Sequence, residues 1–102
     1  MRRPSILVVD DDGAFRSSLV SELERMDFDV QAAASGEEAV QRVVETESDV
    51  VLLDLRLPGM SGLEALREIR ARAPRTDVIM LTGHGTIDTA LEAVRAGAFD
   101  YV

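Results

Sequence analysis

Three short apolar runs, Ile6-Leu7-Val8-Val9, Val50-Val51-Leu52-Leu53 and Val78-Ile79-Met80-Leu81, constrain this chain more than any other feature. They are rich in β-branched side chains and lack the apolar–polar alternation of a half-exposed strand, so they predict strands buried on both faces. Between them, apolar residues recur at helical spacing. Phe15, Leu19, Leu23 and Met26 form one stripe, with Asp12 placed to cap its first turn. Ser35 and Glu38 have capping-box spacing ahead of Ala39, Val40, Val43 and Val44. Residues 62–73 carry Leu63, Leu66 and Ile69 on one face before Pro74 stops the helix. Thr86 is placed to cap a further helix with Ile87, Leu91 and Val94 as its stripe and Gly97 as its terminator. Residues 28–32 and 98–102 are weaker strand candidates. The order β-α-β-α-β-α-β-α-β predicts an α/β fold, a parallel sheet wrapped by helices on both faces. In such a sheet the ligand site lies beyond the carboxyl ends of the strands.

Composition narrows the chemistry available at that end. A chain of 102 residues holds one domain, and 46% hydrophobic with 29% charged residues fits a globular one. No apolar run approaches the ~20 residues of a membrane span. The basic pair Arg2-Arg3 leads into a run that ends in three aspartates, so no targeting segment is read and a cytoplasmic location is expected. The absence of cysteine excludes disulfides, thiolate metal sites and thiol nucleophiles. The net charge of −8 disfavours direct binding of nucleic acid or anionic membranes. All 11 basic residues are arginine, which removes the P-loop lysine and Schiff-base chemistry.

The residues that directly follow the three strongest strands are Asp10-Asp11-Asp12, Asp54 and Thr82. Each alone has an ordinary reading: an aspartate run as a turn and helix cap, a lone aspartate as a turn residue, a threonine before Gly83 as loop. Together, at the same end of central strands, they crowd several carboxylates into one place. Such a cluster is costly unless a cation compensates it. Oxygen-only ligands with room for water suit Mg²⁺. A hard dication beside a free carboxylate is also what phosphoryl transfer needs, with the carboxylate oxygen attacking in line. The Thr82 hydroxyl could then donate to the transferred group.

Four segments carry a resemblance to the response-regulator receiver family of two-component signalling: residues 6–12 (ILVVDDD), 52–62 (LLDLRLPGMSG), 80–83 (MLTG) and 97–102 (GAFDYV). Residues 83–88 (GHGTID) look most like regulators of the nitrogen-regulation or related transcriptional type. The resemblance covers the whole chain and implies a flavodoxin-like, doubly wound parallel five-stranded sheet in the order 2-1-3-4-5. It implies Asp54 as phosphoacceptor, Asp11 as direct Mg²⁺ ligand, Asp10 acting through metal-bound water, and the Arg56 backbone carbonyl completing the ligands. Asp12 lies outside the matched pair and is expected to cap the first helix. Thr82 matches the switch hydroxyl and Tyr101 the switch aromatic. A sensor histidine kinase is the implied phosphodonor and an effector domain is expected to follow. His84 and Arg56 lie near enough in the pattern to meet a phosphate, although an exposed loop residue is the ordinary reading of each.

The resemblance also sets expectations that this sequence does not meet. The family has a lysine followed by proline just past the position of Val102, and a last helix beside the fifth strand, so a truncated receiver is expected, with its fifth helix missing. An uncovered fifth strand predicts self-association into a homo-oligomer. Two rival readings remain. A dehalogenase-type phosphatase wants a second acid two residues after its nucleophile, where this chain has Arg56. The other is an interaction module that works without phosphorylation.

Overall fold

The computed structural model describes residues 3–81 and 96–101. Its elements are β1 (Ser5–Val9), α1 (Gly13–Arg25), β2 (Asp29–Ala33), α2 (Gly36–Thr46), β3 (Val50–Asp54), α3 (Gly62–Arg72), β4 (Asp77–Leu81) and β5 (Asp100–Tyr101). All strand pairs are parallel, in the order β2-β1-β3-β4-β5. The three continuous apolar runs occupy adjacent central positions, as burial on both faces requires. The weaker β2 begins one residue later than its pattern suggests, and β5 is a two-residue pair. The helix expected from Thr86 lies outside the described residues.

Topology explains which helices share a face. The chain steps from β1 outward to β2, then reverses to β3 and continues to β4. Right-handed crossovers put α1 on one face at the first step and α2 and α3 on the other after the reversal. The main core lies under α2 and α3, where Leu7, Val9, Val51, Leu53, Val78 and Met80 meet Ala39, Val43, Ala65, Leu66 and Ile69. Burial of a side chain such as Leu66, fully enclosed here, contributes roughly 2 kcal/mol.

The α1 stripe behaves differently from its pattern. No residue of α1 is fully buried; Leu19 and Leu23 are half-buried, while Phe15 is 47% and Met26 63% exposed. The physical reason is that α1 touches β1 and β2 but, among the described residues, has no helix packed beside it.

The ends of the helices follow the capping chemistry. Asp12 accepts the N–H groups of Ala14 and Phe15, both at 3.1 Å. Ser35 caps α2 through the Glu38 N–H, but Glu38 reaches back to the Ala34 N–H at 2.9 Å, one residue short of closing the expected box. The complete box is on α3, where Ser61 and Glu64 cap each other. Gly62 lets that helix start directly behind β3, since a Cβ there would lie 2.5 Å from the Asp54 carbonyl oxygen and 2.7 Å from the Leu55 Cα. Gly59, at φ +70°, supplies the left-handed turn that returns the chain to that point.

Candidate functional site

β1 and β3 are neighbours in register, Val9 opposite Leu53, so the residues that follow them emerge side by side. One carboxylate oxygen from each of Asp10, Asp11 and Asp54 lies within 4.8 Å of the others. Asp10 is buried, Asp54 half-buried and Asp11 exposed, so the cluster runs from the protein interior to solvent. Main-chain bonds fix the ends of four strands here. The Asp10 N–H donates to the Ala33 carbonyl of β2 at 3.2 Å, and the Leu55 N–H donates to the Leu81 carbonyl of β4 at 3.1 Å.

Two of the aspartates are held by the same local device. Asp10 Oδ1 accepts the Asp12 N–H at 2.9 Å, and Asp54 Oδ1 accepts the Arg56 N–H at 3.2 Å. Each is an Asx turn, a side chain accepting from the backbone two residues on. The Asp10 carboxylate accepts no other hydrogen bond among the described residues, and Asp54 has besides only a weak pull from the Leu55 N–H, so each keeps acceptor capacity for another ligand. Asp12 is spent differently, because its Oδ1 accepts from the start of α1.

Electrostatics set Asp54 apart. Burial pushes its carboxyl above the ordinary value, and the charges of Asp10 and Asp11 push it the same way, against the opposing N–H groups of Arg56 and Leu55. A carboxylate destabilised by its surroundings gains from a nearby cation. The donor set is hard oxygen only, and opposite ligands of a Mg²⁺ ion are about 4 Å apart. The residues present therefore fit a small divalent cation with water completing its shell.

The structure brings Asp10, Asp11 and Asp54 together and puts the Arg56 backbone in the turn against Asp54. Thr82 and His84 lie outside the described residues. The Tyr101 backbone pairs with Met80 in β5, while its side chain lies outside the description. Sequence reasoning missed Arg16, whose Nη1 donates to the Asp10 carbonyl oxygen at 2.6 Å. Its only signal is a cation placed one helical turn after the Asp12 cap.

Comparison with known proteins agrees with this geometry. The family model for the response regulator receiver domain matches residues 6–102. The chain is 41% identical over 97 residues to the regulatory protein AtoC of Escherichia coli, covering 95% of this chain and 21% of that protein. It is 40% identical over 102 residues to the response regulator protein PilR of Pseudomonas aeruginosa, covering 100% of this chain and 23% of that one. The chain thus spans less than a quarter of the length of these relatives. A CheY-like receiver domain protein from Methanospirillum hungatei superimposes with a TM-score of 0.95 at 31% identity, over 99% of this chain and 81% of that one. A response regulator from Burkholderia pseudomallei, solved with a phosphorylated aspartic acid, calcium ion and citrate, gives 0.91 at 32% identity over 96% and 58%. Flavodoxin-like sheet order, acidic cluster and matched length agree: this chain belongs to the response regulator receiver domain family.

Proposed function

We propose that Asp54 accepts a phosphoryl group from a partner histidine kinase, or from a small phosphodonor, and that the change switches a protein-interaction surface. The observation that carries this reading is the convergence of Asp10, Asp11 and Asp54 within 4.8 Å at the carboxyl end of the sheet. Asp10, Asp11, Asp54 and the backbone carbonyl of Arg56 would hold Mg²⁺. The ion supplies positive charge that offsets the charge on the transferring group. In the transfer, Asp54 Oδ2 forms a bond to phosphorus while the bond to the donor's leaving atom breaks, giving an acyl phosphate. The Asx turn from Arg56 keeps Oδ1 occupied and so presents the other oxygen. Thr82 is assigned as the hydroxyl that donates to the new phosphoryl oxygen, and Tyr101 as the aromatic that responds. Hydrolysis of the acyl phosphate resets the domain, which is a signalling phosphoacceptor rather than an enzyme with turnover on outside substrates.

No helix among the described residues is long and apolar enough to cross a membrane. A transcriptional effector domain is the proposed continuation, since the curated relatives several times longer than this chain include the DNA-binding transcriptional regulator NtrC of Escherichia coli. Self-association is proposed as well, because Phe99, an exposed large apolar side chain, lies beside the short edge strand β5. A clean monomer in sedimentation at high concentration would remove that proposal.

The test of phosphoacceptance is intact-mass spectrometry after incubation with Mg²⁺ and acetyl phosphate. A phosphoryl adduct in the wild type and none in Asp54→Ala supports the assignment. Equal adducts in both refute it. No adduct in either favours the phosphorylation-independent interaction module.

A further inference from the structure

Around Asp10 the structure holds a chain of contacts that begins and ends near one arginine. Arg16, half-buried on α1, donates to the Asp10 carbonyl oxygen. The Asp10 N–H donates to the Ala33 carbonyl. The next residue, Ala34, donates its N–H to Glu38 Oε1. The Glu38 carboxyl is held below its ordinary value, first by that Ala34 N–H, against burial, then by Arg42, with Arg16 adding to the attraction. The guanidinium thus holds a peptide carbonyl, feels the Glu38 charge from beyond ion-pair distance, and passes over Gly13, where a Cβ would lie 3.6 Å from Nη2.

This placement matters for the acidic cluster. The Asp10 carbonyl belongs to the peptide plane joining Asp10 to Asp11. Fixing that plane restricts the directions in which both side chains leave the backbone. A charge-assisted bond is shorter and roughly twice as strong as a neutral one, and the planar guanidinium gives it a fixed direction. Among the described residues β2 supplies no backbone donor to this carbonyl; its bond to Asp10 is made at the N–H.

We propose that Arg16 is a positioning residue for the cation site: it clamps the Asp10–Asp11 peptide so that both carboxylates face Asp54. The inference rests on reading the three aspartates as a Mg²⁺ site. Partners of metal ligands are commonly worth about 10–100-fold in metal affinity.

The test is isothermal titration of the chain with Mg²⁺, alongside thermal unfolding without the ion. Arg16→Met is expected to weaken binding about tenfold or more. Arg16→Lys, which keeps charge but not the planar guanidinium, should recover part of the loss. Val43→Ala, a core truncation remote from the loop, should cost stability and leave Mg²⁺ affinity unchanged. Unchanged affinity in Arg16→Met, or an equal loss in Val43→Ala, overturns the positioning role. If Arg16→Met does not fold, Arg16→Lys carries the comparison, and wild-type affinity there overturns it. A wild type that binds no Mg²⁺ overturns the site itself and this inference with it.

Discussion

Replacing Asp54 by asparagine should stabilise the metal-free fold at neutral pH. The Asp54 carboxyl lies with Asp10 and Asp11 in a group whose ligand oxygens are within 4.8 Å of one another. At that spacing a pair of like charges repels by about 1 kcal/mol in water and about 3 kcal/mol at an effective dielectric of about 20. Asp11 is exposed and Asp54 only half-buried, so screening favours the lower figure, and two relieved pairs give roughly 1–2 kcal/mol. In a domain of this size that is a rise of roughly 4–8 °C per kcal/mol in the unfolding midpoint. The sign follows from linkage. The folded value of Asp54 is raised above the ordinary 3.8, so the folded state binds more protons and wild-type stability falls as pH rises through that window. The advantage of Asp54→Asn should therefore be full at neutral pH, shrink as pH falls through the raised value, and vanish below the ordinary one. Mg²⁺ should reverse the ranking, because a ligand at 100 times its Kd adds about 2.7 kcal/mol to the wild type. Urea unfolding followed by circular dichroism, in EDTA and in Mg²⁺, measures both. A variant no more stable than wild type in EDTA at pH 7, or an advantage that grows in acid, would refute the reasoning.

Three further outcomes follow from the packing. Gly62→Ala should destabilise by about 1–3 kcal/mol through overpacking, because the added methyl meets the backbone of Asp54 and Leu55; denaturant midpoints test this, and no change would mean that α3 shifts freely. Leu66→Ala, at a fully buried position, should cost about 2–5 kcal/mol, whereas Val44→Ala, on the same sheet face but 55% exposed, should change the urea midpoint little. Asp12→Ala should lower stability by about 1 kcal/mol through loss of the α1 cap while leaving Mg²⁺ affinity in titration calorimetry near wild type, since its side chain is already committed to Ala14 and Phe15.

The sheet was legible because its central strands bury both faces and must be continuously apolar, a pattern a helix of that length would not need. The acidic site was legible because strand ends at one edge of a parallel sheet fall together whatever the helices do. Burial within α1 was not, since periodicity shows that Phe15 and Met26 share a stripe with Leu19 and Leu23 but not what covers it. Ala65 went unremarked as core because alanine carries little hydrophobic signal, yet it is fully buried where α2 and α3 approach closely. The capping partner of Glu38 also escaped, as the carboxylate has reach enough to choose between the N–H groups on either side of the Ser35 cap. Arg16 was hidden for a similar reason: a long side chain one turn into an exposed helix is usually solvated, and its target here is a main-chain oxygen.

Aspartates at the ends of two neighbouring strands make a site that a run of aspartates on one loop would not. Asp10 and Asp54 leave adjacent strands in register and each spends one oxygen on the N–H two residues further on. That bond costs little, since a turn is needed there anyway, and it sets the side-chain torsion so that the second oxygen has a fixed direction. Asp11 follows Asp10 on the same backbone and adds a third oxygen from the solvent side. Asp12, a residue later, is rotated onto the helix end and spent as a cap. Four aspartates of one chemistry thus divide into two oriented acceptors, one adaptable acceptor and one structural cap, and the division is made by main-chain hydrogen bonds. Charge repulsion alone would scatter such groups; the register of β1 with β3 and the start of α3 hard against Asp54 keep them together, which leaves a bound cation as the available relief.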